Sequence, residues 1–371
     1  MACSTFDGQL VRQESDLRDL MSQFVCVRLV QGNAMDLALF QFDYDLTLAA
    51  FFMNADQTIY GRFGTRSTDK DAARDISIEG LRKAMTSALA MHKNYPANKN
   101  LFVNKKGPPP RFKVPEDYPS LKGRFSSTIT YTNQVARSCI HCHMVRDAER
   151  TIVRAGEKVL TDKMLYPYPM PNELGLAFDP RETAKVLSVA PQSAAAKDGF
   201  KAGDELMSLE GQPLLSIADV QWVLENAPEP STLRAEVRRG GQRLKLPMTL
   251  AKGWRRHTDI SWRPTSWDLR RMAFGGMKLD ELSTEERQSS KIPDGRLALQ
   301  AKHVGEYGEH AVAKKAGFKK GDVIVAFDGH TEAMTESELF GYVLKNKPPG
   351  ARLPVTVQRG EEKLNFDLSL P

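Results

Sequence analysis

The sequence predicts a multidomain chain of mixed α/β and α+β class: an α/β unit, a proline-rich linker with a short helical Cys-x-x-Cys-His segment, and two related β-rich domains. Three observations carry this. The chain has 371 residues, too many for one ordinary domain of roughly 100–200. Its apolar periodicity changes from mixed helix and strand spacing in the first quarter to short strands and turns in the second half. Residues 195–206 reappear, in large part, at 313–324. The composition, 41% hydrophobic and 26% charged, excludes disorder as the main state, and the net charge of +6 is too mild to imply a nucleic-acid partner without a local basic patch. No apolar run approaches the roughly 20 residues of a membrane span, and the opening MACSTFDGQL has no signal-peptide core.

Residues 1–95 are read as the α/β unit. A polar helix-like stretch from Asp16 leads into an alternating strand, Phe24 to Val30. A nearly all-apolar strand, Leu46 to Met53, turns at Asn54 to Gln57 into Thr58 to Phe63. Ile78, Leu81, Met85, Ala88 and Leu89 then recur at helical spacing up to His92. This order resembles the later part of a thioredoxin-like fold. That resemblance puts Cys3 at the second cysteine of the family's dithiol, with Met1 and Ala2 where the rest should stand and Leu46 in place of its usual proline. The domain is therefore expected to be incomplete and not a thiol oxidoreductase.

Residues 96–171 are read as a strap. Gly107 to Pro110, Pro115 and Pro119 restrict its backbone. Within it, Cys139, Cys142 and His143 form the Cys-x-x-Cys-His attachment sequence of c-type haem: two thiols for the vinyl groups and an adjacent imidazole for the iron. The same spacing also serves a redox dithiol or part of a metal site with His143 as a ligand. Met164, Met170 and His92 are the candidate sixth ligands, since a thioether or imidazole is needed.

In the second half, Ala195 to Leu206 aligns with Ala313 to Ile324 at an offset of 118, and Val237-Arg238-Arg239-Gly240 with Val357-Gln358-Arg359-Gly360 at 120. The shared pattern of Ala-Gly or Asp-Gly, Phe, Gly-Asp and a terminal hairpin resembles bacterial PDZ domains, small β-barrels, over residues 172–252 and 272–371. The resemblance implies binding of extended or C-terminal peptide segments beside a glycine loop. That loop matches Leu174, Gly175 and Leu176 in the first copy and Gly275, Gly276 and Met277 in the second, with Ile217, Val220, Val223 and Leu224, or Leu339, Tyr342 and Val343, opposite. Between the copies, residues 253–271 hold three of the four tryptophans among arginines and are read as a connector.

Thioredoxin-like, Cys-x-x-Cys-His and tandem PDZ segments together resemble proteins of planctomycete-type bacteria. The function expected on this basis is an exported, periplasmic or extracellular haem c protein for electron transfer or redox sensing, with a redox partner and PDZ-held peptide partners, and not an enzyme. The alternative is a non-haem peptide-binding scaffold in which the cysteines form a dithiol or a structural metal element.

Overall fold

A computed structural model describes residues 15–68, 74–132, 134–156 and 158–371; Cys3 lies outside them. The chain divides into two compact units, residues 1–145 with 167–258, and residues 146–166 with 259–371.

In the first unit, β1 (Ala50–Met53) pairs antiparallel with β2 (Ile59–Phe63). The Asn54 carboxamide accepts from the amides of Asp56 and Thr58, so the expected turn is an Asx turn. Helix α1 (Ile78–Lys93) starts at Ser77, whose hydroxyl accepts the Gly80 amide, and its Leu81, Ala84, Met85 and Ala88 are buried with Phe52, Tyr60 and Phe63. The sheet ends there. The run expected as a strand from Phe24 to Val30 is assigned to no strand, and Val25 is 95% exposed. A thioredoxin-like sheet is therefore not present among the described residues. The expected strand rested on the alternation of apolar residues from Phe24 to Val30, but alternation identifies a strand only when a neighbouring strand takes its hydrogen bonds.

Helix α2 (His143–Ala155) carries the chain from the first unit into the second. From residue 167 the first unit contains a two-stranded sheet of β3 (Leu176–Phe178) and β4 (Val186–Val189), and a four-stranded sheet of β5 (Glu205–Leu209), β6 (Gln212–Pro213), β7 (Ser231–Arg239) and β8 (Gln242–Leu250) in the order β6-β5-β7-β8. Helix α3 (Ile217–Asn226), capped by Ser216, closes the core around Val220, Val223, Leu224, Leu206 and Val237.

The second unit holds helix α4 (Ser266–Phe274), β9 (Met277–Glu281), β10 (Leu299–Val304), β11 (Val323–Phe327), helix α5 (Glu336–Asn346), β12 (Arg352–Arg359) and β13 (Glu362–Ser369). The five strands form one antiparallel sheet in the order β13-β12-β11-β10-β9, with β9 at an edge. Leu339, Phe340, Val343 and Leu344 of α5 are buried on this sheet with Phe274 and Phe327. Gly341 lies mid-helix, where glycine costs roughly 1 kcal/mol against alanine. A Cβ there would stand 2.2 Å from the Tyr166 hydroxyl, so the position must stay bare for that ring to donate to the Ser337 carbonyl at 3.1 Å.

Candidate functional site

The two β-rich domains share a fastening that explains the repeated sequence. Asp204 is fully buried and is held by Arg239, Nε to Oδ1 at 2.6 Å and Nη2 to Oδ2 at 2.7 Å, while Arg239 also donates to the Gly199 carbonyl at 2.8 Å. Asp322 and Arg359 repeat this, with Nε to Oδ1 at 2.6 Å and a donation to the Gly317 carbonyl at 3.0 Å. The repeated aspartate and arginine thus tie the turn before β5 or β11 to the final hairpin.

In the first domain the residues expected to hold a ligand terminus sit at the start of β3. Leu174 ends a 3-10 turn and Gly175 adopts a left-handed φ of 85°, with its amide donating to the Asn172 carbonyl at 2.8 Å. Since the Gly175 carbonyl accepts from Ala190 and the Asp179 amide donates to Lys185, alternation turns the Leu176 and Phe178 amides toward the edge of β3 away from β4. Ile217, Val220, Val223 and Leu224 are all buried in the domain's own core. The earlier part of the unit reaches both ends of this strand. Thr65 donates to the Gln221 carboxamide and lies 3.1 Å from the Met170 sulfur, just before the loop, and the Ser77 hydroxyl donates to the Pro180 carbonyl at 2.9 Å, just after β3.

Helix α3 is further bound by a buried charge cluster that sequence reading did not single out. Lys105 and Asp219, each with a fully buried side chain, pair at 2.8 Å, and Lys105 also donates to the Pro213 carbonyl at 2.6 Å. Asp219 accepts from the Leu215 and Arg62 amides, and the Arg62 guanidinium lies 3.8 Å over the Trp222 ring. Burial lowers the Lys105 ammonium pKa and Asp219 opposes that shift. A lysine before a Gly-Pro-Pro-Pro run carries no signal of its partner, because Asp219 is 114 positions away.

In the second domain both glycines of the expected loop are required. The Gly275 and Gly276 amides both donate to the Arg270 carbonyl, and a Cβ would come within 2.7 Å of the Ala313 amide at Gly275 and 2.0 Å of the His310 carbonyl at Gly276. Leu339 and Val343 are buried in the core, while Tyr342 is half-buried and its hydroxyl donates to Asp328.

Ser138 to His143 form a turn into α2 that is gripped from the front of the chain. The Asn33 carboxamide accepts the Ile140 amide at 2.8 Å and donates to the Ser138 carbonyl at 2.9 Å, and the Gly32 amide donates to the Ile140 carbonyl at 2.8 Å. The His143 ring stacks on His141 at 5.7 Å. Cys139 and Cys142 are free thiols, and burial pushes the Cys142 thiol pKa up.

Comparison with known proteins agrees with the duplicated domains. The PDZ domain family model matches residues 172–250 and 309–370. The chain carries tandem PDZ domains. It is 26% identical over 227 residues to the periplasmic serine endoprotease DegP of Escherichia coli, covering 61% of this chain and 43% of that protein. A probable DegP-like periplasmic serine endoprotease of Pseudomonas savastanoi is 28% identical over 179 residues, 47% of this chain and 35% of that one. The chain thus spans less than half the length of these relatives. Among solved structures, an HtrA3 PDZ domain bound to a phage-derived ligand is 24% identical, covering 26% of this chain and 83% of that chain at a TM-score of 0.17. The HtrA-type protease AlgW with decapeptide is 18% identical, covering 38% and 49% at 0.23. The expected periplasmic or extracellular location agrees with the periplasmic relatives, and among the described residues no helix is long and apolar enough to cross a membrane.

The haem expectation is overturned. The relatives are serine endoproteases, not haem proteins, and among the described residues no group of three or more His, Cys, Asp and Glu side chains is placed to hold a metal ion. Haem c, electron transfer, the redox partner and a structural metal at His143 fall with it. The local reason is that the motif's turn is fastened to Gly32 and Asn33 and its imidazole lies against another ring. The three candidate sixth ligands have other partners. His92 Nδ1 is 2.8 Å from the Tyr60 hydroxyl, Met170 is buried in the core of the first PDZ domain beside Thr65, and Met164 packs on the core of the second unit.

Proposed function

We propose that this chain is a periplasmic peptide-binding protein whose first PDZ domain takes the C-terminal or extended segment of a partner protein along β3. The observation that carries the reading is the PDZ match together with the orientation of the Leu176 and Phe178 amides, which aim at the side of β3 where an added strand would pair. A ligand carboxylate would meet the loop of Leu174, Gly175 and Leu176, with Gly175 exchanging its bond to Asn172 for the ligand. The loop of Gly275, Gly276 and Met277 is the counterpart in the second domain. The N-terminal part, which contacts Gln221 and Pro180, frames the first site and limits ligands to those that thread between these contacts.

The test is photocrosslinking of the full chain with short peptides that carry a photoreactive apolar residue at a free C-terminus, mapped by mass spectrometry. Label on residues 174–178 is expected. Label confined to residues outside the two PDZ domains would refute the proposal.

A further inference from the structure

We propose that the second PDZ domain is latched shut from within by Glu336 and Arg270, so that peptide strands cannot add to β9 until this pair parts. The inference concerns regulation of the second site and rests on the peptide-binding reading only for what the latch excludes.

Strand β9 is an edge strand, and in its pairing with β10 the Leu282 amide donates to the Ala298 carbonyl while the Gly276 carbonyl accepts from Gly305. Alternation then turns Met277, Leu279 and Glu281 to the free edge. An added strand would need the central donor, Leu279. That amide is already taken: it donates to Glu336 Oε1 at 2.8 Å. Glu336 is the first residue of α5, so its carboxylate bridges the helix and the strand between which a peptide would lie.

The bridge is strongly held. Arg270 binds Glu336 in bidentate fashion, Nε to Oε1 at 3.0 Å and Nη2 to Oε2 at 2.6 Å, and both residues are almost fully buried. The guanidinium is fixed in turn by the Ser266 hydroxyl at 2.7 Å and the Ser261 carbonyl at 2.8 Å. The backbone of the same arginine closes the loop, since its carbonyl accepts both the Gly275 and Gly276 amides. Phe274 and Phe340 stack at 4.7 Å beside it. A peptide carbonyl would therefore replace a charged acceptor with a neutral one and leave a buried arginine without its counter-ion, which is unfavourable.

The first domain is built differently at the same place. Helices α3 and α5 both end in an asparagine that donates to the carbonyl four residues earlier, Asn226 to Trp222 and Asn346 to Tyr342, which aligns Ser216 with Glu336. Ser216 is short and its hydroxyl donates to the Arg62 carbonyl. The carboxylate latch belongs to the second domain.

The test is amide hydrogen exchange of the full chain, read at Leu279, with the photoreactive peptides as the binding probe. Glu336→Ala should speed Leu279 exchange by about tenfold or more, the scale of one hydrogen bond to a charged acceptor. Because a lone buried Arg270 endangers folding, the paired variant Arg270→Met with Glu336→Leu serves as a second route and should give the same rise. Peptide label on residues 277–281 should be absent from the wild-type chain and appear in the variants. Unchanged Leu279 exchange in both folded variants, or wild-type label on β9, would overturn the latch. Protection that depends on Glu336 in a chain that binds no peptide would uphold the latch while refuting the peptide-binding reading.

Discussion

Arg239 and Arg359 show how much a single repeated residue organises. Each holds a buried aspartate of a Gly-Asp pair and the carbonyl of the preceding Gly-Phe turn. Burial raises the Asp204 pKa, but the hydrogen bonds from Arg239 and the Lys201 amide outweigh it, leaving the carboxyl below its ordinary value. A depressed folded pKa contributes stability above the unfolded value of about 3.9, and that share is lost as pH falls through the folded value. Arg239→Ala should therefore cost about 2 kcal/mol at neutral pH and move the onset of acid unfolding upward, measured by urea melts from neutral to acid pH. An unchanged acid limb would contradict the account. At the Cys-x-x-Cys-His turn, burial keeps the Cys142 thiol protonated, whereas Cys26 is exposed. Iodoacetamide should modify Cys26 first and Cys142 slowly at neutral pH, and mass spectrometry of timed samples would show a reversed order if Cys142 were an activated nucleophile.

Among the elements, α3 departs most from a simple amphipathic helix. Ile217 to Glu225 are all buried, because one side faces the PDZ core and the rest meets Arg62, Thr65, Asn104 and Lys105. Polar residues on a helix ordinarily mark a solvent face. Here Asp219 and Gln221 are satisfied by distant partners instead. Lys105→Met would leave Asp219 buried without its cation and should cost about 3–5 kcal/mol, read as a lower midpoint in chemical denaturation. A loss below about 1 kcal/mol would show that the pair is open to solvent, as surface pairs are. The run after the first helical stretch teaches the opposite lesson. Phe24 to Val30 has strand composition, yet Val25 and Val27 stand exposed, because pairing is a non-local property that composition does not encode.

At the scale of the whole molecule, the second half was legible because its constraints are local. Gly-Asp turns, left-handed glycines and terminal hairpins recur in the same order in both copies, and each maps onto a defined backbone need. The hairpin at Asn54 and the helix from Ser77 were readable for the same reason. What escaped reading joins residues far apart in sequence: Lys105 with Asp219, Arg270 with Glu336, and Asn33 with Ile140. The Cys-x-x-Cys-His motif misled because its short spacing is shared by several chemistries and only its surroundings choose among them.

The most direct test of the account is calorimetric titration of the full chain with short peptides that vary only in an apolar last residue, each as free acid and as C-terminal amide. The account predicts that at least one acid binds and that its amide binds about tenfold or more weakly, since a terminal carboxylate held by loop amides contributes on the scale of one or two charge-assisted hydrogen bonds. Equal affinity of every acid and its amide, or no saturable binding by any of them, would contradict it.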